Sequence, residues 1–213
     1  MGRIGPGTPV SATDSHPITF PQASAADQGL LLSMPHLVDP NFTRAVVLMV
    51  EHSDEGSFGL IVNQPSPMTV EDLLEELEIA WRGSSHDVVW SGGPVLPTTG
   101  WVLHRPLADE QEPIIELDDG SPTVTVAPGI ALSTSPDKLR QIAAAPPERI
   151  RFLLGYSGWG PGQLAEEMVR GSWLHADVTP ELVFDTDPEK MWERALQSIG
   201  VDPESIVPGE GVH

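Results

Sequence analysis

Apolar side chains gather most densely between Gly29 and Pro65. Leu30-Leu31-Leu32 predicts a first strand. Ala45 to Val50 and Phe58 to Val62 predict two more, joined by the polar, Gly-containing connection His52 to Ser57. Two short apolar runs around such a connection make a β-hairpin. Both alternating positions of the first run are apolar, so neither face of that strand should meet water, which puts it at the centre of a sheet. Asp39-Pro40-Asn41-Phe42, between the first two strands, has the composition of a turn or short helical turn.

Beyond the hairpin, Thr69 and Asp72 form a capping-box pattern, and Val70, Leu73, Leu74 and Leu77 fall on one helix face. Glu71, Glu75, Glu76 and Glu78 would cover the outer face. Asp87 to Trp90 and Trp101 to His104 are strand candidates flanking the turn-forming Ser91-Gly92-Gly93-Pro94. Ile114 to Leu117 and Thr123 to Ala127 predict a second hairpin around Asp118-Asp119-Gly120. Ser135-Pro136 opens a short helix through Ala144. Arg149 to Gly155 is a strand that leads into a Gly-rich loop, Tyr156 to Gly162, and then a helix from Gln163 to Arg170 with Leu164, Met168 and Val169 inward. Leu182 to Phe184 predicts a last strand, and Asp187-Pro188 opens a helix carrying Met191, Trp192, Ala195, Leu196 and Ile199.

Local hairpins with helices interleaved later predict an α+β fold, a single domain whose mixed, largely antiparallel sheet is flanked by about four helices. Residues 1–26, rich in Gly, Pro, Ser, Thr and Ala, are expected to be a disordered tail. The domain should cover 27–207, with residues 208–213 frayed.

Charge changes the picture most. The chain of 213 residues has 11 Lys+Arg against 31 Asp+Glu, a formal net charge of −20. A surface this acidic repels phosphate backbones and anionic lipid, so direct nucleic-acid or membrane binding is not expected. With no Cys there are no disulfides, thiolate nucleophiles or Cys-ligated metals. No basic-then-apolar leader and no run near ~20 apolar residues is present, so cytoplasmic residence is expected.

Candidate chemistry sits at the hairpin ends, where Asp39, Arg44, Glu51, His52 and Asn63 collect. His suits proton transfer near neutral pH, and Glu51 is its acidic neighbour, but adjacent strand residues point to opposite faces. His104 ends another strand and is expected to be a core or surface histidine. The Tyr156–Gly162 loop, running into a helix, has the form of an anion- or ligand-binding loop, with Trp159 placed to touch a ligand. Gly155-x-Ser157 has part of the nucleophile-elbow pattern, but Trp159 occupies the position of its closing glycine. His36, His52, His104 and His175 lack the spacing of metal ligands, so no metal or other cofactor is expected.

Pro35-x3-Asp39-Pro40-x-Phe42-x-Arg44, Glu51-His52 and Gly56-x2-Gly59-x-Ile61-Val62-Asn63-x-Pro65 together resemble the signature of the AlgH/YqgE family. Gly92-Gly93-Pro94-Val95, Leu103-His104, Leu154-Gly155-Tyr156-x2-Trp159-x2-Gly162-Gln163-Leu164, Trp173-Leu174 and Trp192-x2-Ala195-Leu196-x2-Ile199-Gly200 continue it in order. The resemblance implies a cytosolic bacterial protein with a barrel-like mixed sheet. It implies no reaction, and the family's transcriptional-regulator label comes from one member's association with alginate regulation.

The expected function is a ligand-binding or regulatory module that acts without touching DNA. It would hold a small anionic ligand or a protein partner between the hairpin and the Gly155–Gln163 loop. Arg44 would supply charge, and Asn63 and Gln163 directional hydrogen bonds. The alternatives are a hydrolase- or transferase-type enzyme using His52 or Glu51 as acid/base with Asp39 as orienter, and a scaffold whose shared residues are turns, caps and strand ends.

Overall fold

The structure, a computed structural model, describes residues 29–107 and 123–206. The expected tail (1–26), the frayed end (208–213) and the first strand of the second hairpin (114–117) lie outside these residues.

The strands β1 (Leu30–Ser33), β2 (Val46–Ser53) and β3 (Gly56–Ile61) form the predicted opening sheet, with a 3₁₀ turn at Pro40–Phe42 between the first two. Then come β4 (Pro65–Thr69), α1 (Val70–Glu75), β5 (Val88–Ser91), β6 (Val95–His104), β7 (Thr123–Ala127), β8 (Ile130–Ser133) and α2 (Pro136–Ala144). The chain continues through β9 (Ile150–Trp159), α3 (Gln163–Val169), β10 (Trp173–Ala176), a π-helical turn at Glu181–Asp185, α4 (Pro188–Ser198) and α5 (Pro203–Ile206). The strands make one curled, half-barrel sheet in the order β10-β1-β2-β3-β9-β6-β8-β7, with β5 also on β9 and β4 on β5. Among the described residues, only β5 with β9 is parallel. The architecture is the α+β fold expected, and all four predicted helices form.

The doubly apolar run on β2 does what its pattern predicts. Val46 and Leu48 enter the main core inside the half-barrel, with Trp101, Leu103, Leu153 and the α4 residues Met191, Trp192, Ala195 and Leu196. Val47 and Met49 enter a second cluster on the other face, under Leu164 of α3 and beside Trp159 and Trp173. Each such buried Val or Leu contributes about 1.5–3 kcal/mol. α4 is anchored by its Trp192 indole N–H, which donates to the Ser33 carbonyl at 2.9 Å. A third cluster packs α1 and α2 onto Val89, Val102 and Phe152.

Helix ends follow their caps. Thr69 Oγ1 accepts from the Asp72 N–H at 3.1 Å, and Ser135 Oγ from the Lys138 N–H at 3.1 Å.

Four expectations are corrected. Leu77 is exposed, because α1 stops at Glu75. Val169 is 90% exposed, since only Leu164 of α3 is buried and the last turn leaves the sheet. Leu182–Phe184 is part of the π turn and not a strand; the Val183 N–H bonds back to the Thr179 carbonyl. The Tyr156–Trp159 stretch is not loop but the end of β9, where Ser57, Phe58 and Gly59 pair with Trp159, Gly158 and Ser157.

β5 and β6 do not form a hairpin around Gly92-Gly93. They lie beside β9, one parallel and one antiparallel, and the connection crosses it. The crossing is so close that a methyl group on Gly92 would overlap the Gly155 carbonyl, and one on Gly93 the Tyr156 backbone. Glycine is the side chain the crossing permits.

Candidate functional site

Most of the sequence-selected polar residues are engaged in holding the chain's own backbone. Asp39 Oδ1 accepts from the Asn41 N–H at 2.9 Å and caps the 3₁₀ turn. Asn63 bridges two strands, its Oδ1 accepting from the Val46 N–H and its Nδ2 donating to the Arg44 carbonyl, both at 2.9 Å. Arg44, in a left-handed conformation at φ 48°, lies over the Trp192 ring and pairs with Glu193 at 3.3 Å. Gln163 Oε1 accepts from the Gly160 N–H at 3.0 Å, and its amide donates to Glu167 at 2.8 Å. His104 is fully buried, with Nδ1 2.9 Å from the Arg105 carbonyl and Nε2 2.8 Å from Ser133 Oγ. None of these five lines the same concave surface as Glu51.

What does come together is the end of the β2–β3 hairpin and the end of β9. A cleft of about 530 Å³ opens there, lined by Glu51, Glu55, Phe58, Trp101, Tyr156 and Trp159, with Val95 and the Gly56-Ser57 backbone. Two slips in strand alternation build it. On β2, Met49 lies opposite Gly59 and Glu51 opposite Phe58, so Val50 is an extra, bulged residue. The bulge returns Glu51 to the inward face that Val46 and Leu48 occupy. On β9, Leu153 is inward and Leu154 outward, yet Tyr156 packs inward with Phe58. Gly155, at φ 74°, absorbs that slip. Without either bulge, Glu51 or Tyr156 would fall on the opposite face.

The rings pack against one another. Phe58 lies 5.5 Å from Trp101 at an interplanar angle of 34°, and Tyr156 stands nearly perpendicular to both, at 5.8 Å from Phe58 and 6.2 Å from Trp101. Against this apolar wall the Glu51 carboxyl is partly stripped of water. That burial, and secondarily the Glu55 charge, pushes its pKa up from the ordinary carboxylate value. Among the described residues that line the cleft there is no Lys or Arg.

Glu51 and His52 part company, as adjacent strand residues should. His52 points to the other face, where its Nδ1 is 2.6 Å from Ser57 Oγ across the hairpin. Ser157, the residue of the partial elbow pattern, is fully buried with its hydroxyl toward the Gly92 carbonyl at 3.4 Å, so no nucleophile is presented there. Among the described residues no three His, Asp or Glu side chains gather in a way that would hold a metal ion. Among the described residues, no helix is long and apolar enough to cross a membrane.

Phe58, Trp101 and Glu55 were not singled out from the sequence, and Tyr156 only as the first residue of the candidate loop. One signal was present: an isolated Gly155 inside a strand pattern marks a bulge or a close backbone approach, and here it marks both. The Val50 bulge has no comparable signature.

The AlgH-like family model (DUF179) matches residues 30–204. A UPF0301 protein of Myxococcus xanthus is 43% identical over 187 residues, covering 87% of this chain and 97% of its own. A UPF0301 protein of Jannaschia is 43% identical over 178 residues, covering 82% and 88%. The solution structure of the AlgH protein from Pseudomonas aeruginosa superposes with a TM-score of 0.67 at 34% identity, covering 91% of this chain and 100% of that one. A Corynebacterium diphtheriae protein of known crystal structure shares the fold at a TM-score of 0.60 and 19% identity, covering 84% and 89%. The chain belongs to the AlgH-like family.

Proposed function

We propose that the protein is a cytoplasmic small-ligand-binding module, regulatory in role, that works through the aromatic cleft and without contacting DNA. The observation that carries this reading is the cleft itself. At the rim of the half-barrel a cleft of about 530 Å³ is lined by Phe58, Trp101 and Tyr156, with one partly desolvated carboxyl, Glu51, set among them. A mostly apolar concavity with a few fixed polar groups is the usual form of a small-molecule site, and its size is in the usual range of about 300–1,000 Å³. The net charge of −20 supports the absence of a DNA role, including in any regulatory function.

The test is a fragment screen on uniformly ¹⁵N-labelled full-length chain. Hits are expected to move the amides of 51–58 and 156–159 together, and to lose their effect in Phe58→Ser. Hits scattered over the surface, or none at the cleft, would leave the scaffold reading in possession, because so many of the shared polar residues already serve caps and strand ends.

A second reading rests on one distance, the 2.6 Å between His52 Nδ1 and Ser57 Oγ on the face of the hairpin away from Glu51. A serine so paired is a candidate acyl-accepting nucleophile. Covalent labelling by a fluorophosphonate that disappears in Ser57→Ala would favour it; no labelling would dismiss it.

A further inference from the structure

Resting on the cleft reading above, we propose that the ligand is a small organic cation, an ammonium or guanidinium group carried on an apolar body. Three observations converge. Among the described residues, the charged side chains at the cleft, Glu51 on β2 and Glu55 in the β2–β3 turn, are both acidic. The Val50 bulge turns Glu51 inward, onto the aromatic side of the sheet, when unbroken alternation would have sent it outward. And the rings meet at a corner: Phe58 and Trp101 are close to parallel, while Tyr156 crosses them at 75° and 79°.

A positive group is attracted to the negative face of such rings, and most strongly where water is excluded. A carboxylate beside the rings then supplies the charge-assisted hydrogen bond that fixes it. The rest of the ligand would lie against Val95 and Tyr156. An anion would meet two carboxylates and, among the described residues of that lining, no basic side chain. A divalent metal would find two carboxylates amid aromatic rings, short of the six or more oxygen ligands that Mg²⁺ or Ca²⁺ requires. The overall charge adds to the selection, because a strongly acidic protein concentrates cations at its surface and raises their on-rate at low salt.

The experiment titrates full-length protein with three probes of one shape: phenethylammonium, 2-phenylethanol and 3-phenylpropanoate. Cleft amide shifts and Trp fluorescence are read in parallel. Phenethylammonium is expected to bind at least about tenfold more tightly than the other two, and Glu51→Gln to remove most of that preference while leaving the weak binding of 2-phenylethanol unchanged. If the alcohol or the carboxylate binds the cleft as well as the amine does, the cation assignment falls while the ligand site stands. If no probe moves the cleft resonances, both fall. Saturable Mg²⁺ binding at Glu51 that displaces the amine would also overturn the assignment. The melting temperature of Glu51→Gln, measured alongside, shows that the variant remains folded.

Discussion

Glu167 Oε2 accepts a 2.7 Å hydrogen bond from the indole N–H of Trp173. The same oxygen accepts from the Trp159 indole at 3.0 Å, and Oε1 accepts from the Gln163 amide at 2.8 Å. One carboxylate on α3 therefore ties β9 and β10 to the helix. It also sets the two Trp rings edge to face at 5.6 Å. Trp159 and Gln163, taken from the sequence as ligand contacts, are thus held in a structural cluster. Glu167→Ala leaves two indole donors without this acceptor, and a charged hydrogen bond is worth about 1.5–3 kcal/mol. The expected loss is ~2–3 kcal/mol in urea unfolding, with Glu167→Gln losing about half as much. Amine binding at the cleft should be unchanged in Glu167→Gln.

Gly155 and Gly200 both sit at left-handed φ, 74° and 76°, but in different surroundings. A methyl group at Gly155 would run into the Gly93 carbonyl, whereas at Gly200 nothing lies within 4 Å. Gly200→Ala should therefore cost only the backbone term, about 1–2 kcal/mol. Gly155→Ala adds the overlap at the strand crossing, and about 3 kcal/mol or more in total is expected. Equal losses on thermal or urea unfolding would show that the crossing yields easily.

Much of this fold was readable because its signals are local. Thr69, Ser135 and Asp187 cap their helices as their sequence neighbours predict, and Ala45 to Met49 is buried on both faces because both parities are apolar. The β9 extension was hidden because glycines at 155, 158, 160 and 162 read as loop. The strand pairing of residues 157–159 comes from residues 57–59, about a hundred positions away, and not from local preference. The site was harder still. Glu51 was visible as a polar strand end, but its neighbours Phe58, Trp101 and Tyr156 meet only through a bulge and a long-range crossing. Asn63 and Asp39 looked like ligand contacts because polar residues at strand ends serve backbone bonding and binding alike.

Arg151 is buried inside the half-barrel, its guanidinium 3.7 Å from the Trp90 ring centroid and donating to the Val62 carbonyl. Burial lowers its pKa to about 10, with Asp185 opposing the shift. Because the folded pKa lies below the unfolded one, the charge weighs against the folded state throughout neutral pH, and relief would come only as pH rises above about 10. Arg151→Met removes the buried charge and leaves one carbonyl to rehydrate. Arg151→Lys keeps a charge but loses the planar stack. The lysine variant is expected to be the less stable of the two, by about 1–2 kcal/mol in urea at pH 7. The reverse order would mean that the guanidinium's position is set by charge alone.

Glu51 gives a pH signature that can be read without any ligand. Its folded pKa is raised by burial beside the aromatic wall and by Glu55, so the folded state holds the proton more tightly than the unfolded chain does. Its favourable contribution is complete below the ordinary carboxylate value of 4.5 and is lost as pH climbs through the raised folded value. Glu51→Gln carries a permanently neutral group of similar shape. The variant should therefore be more stable than the parent at pH 7, by no more than about 0.5 kcal/mol because the carboxyl is largely solvated. The difference should shrink to nothing by about pH 4. Paired urea titrations at pH 7 and pH 4 measure it. A variant less stable than the parent at pH 7 would mean that the carboxylate is held by a favourable partner within the protein, and the cleft would then have no desolvated charge to offer an incoming cation.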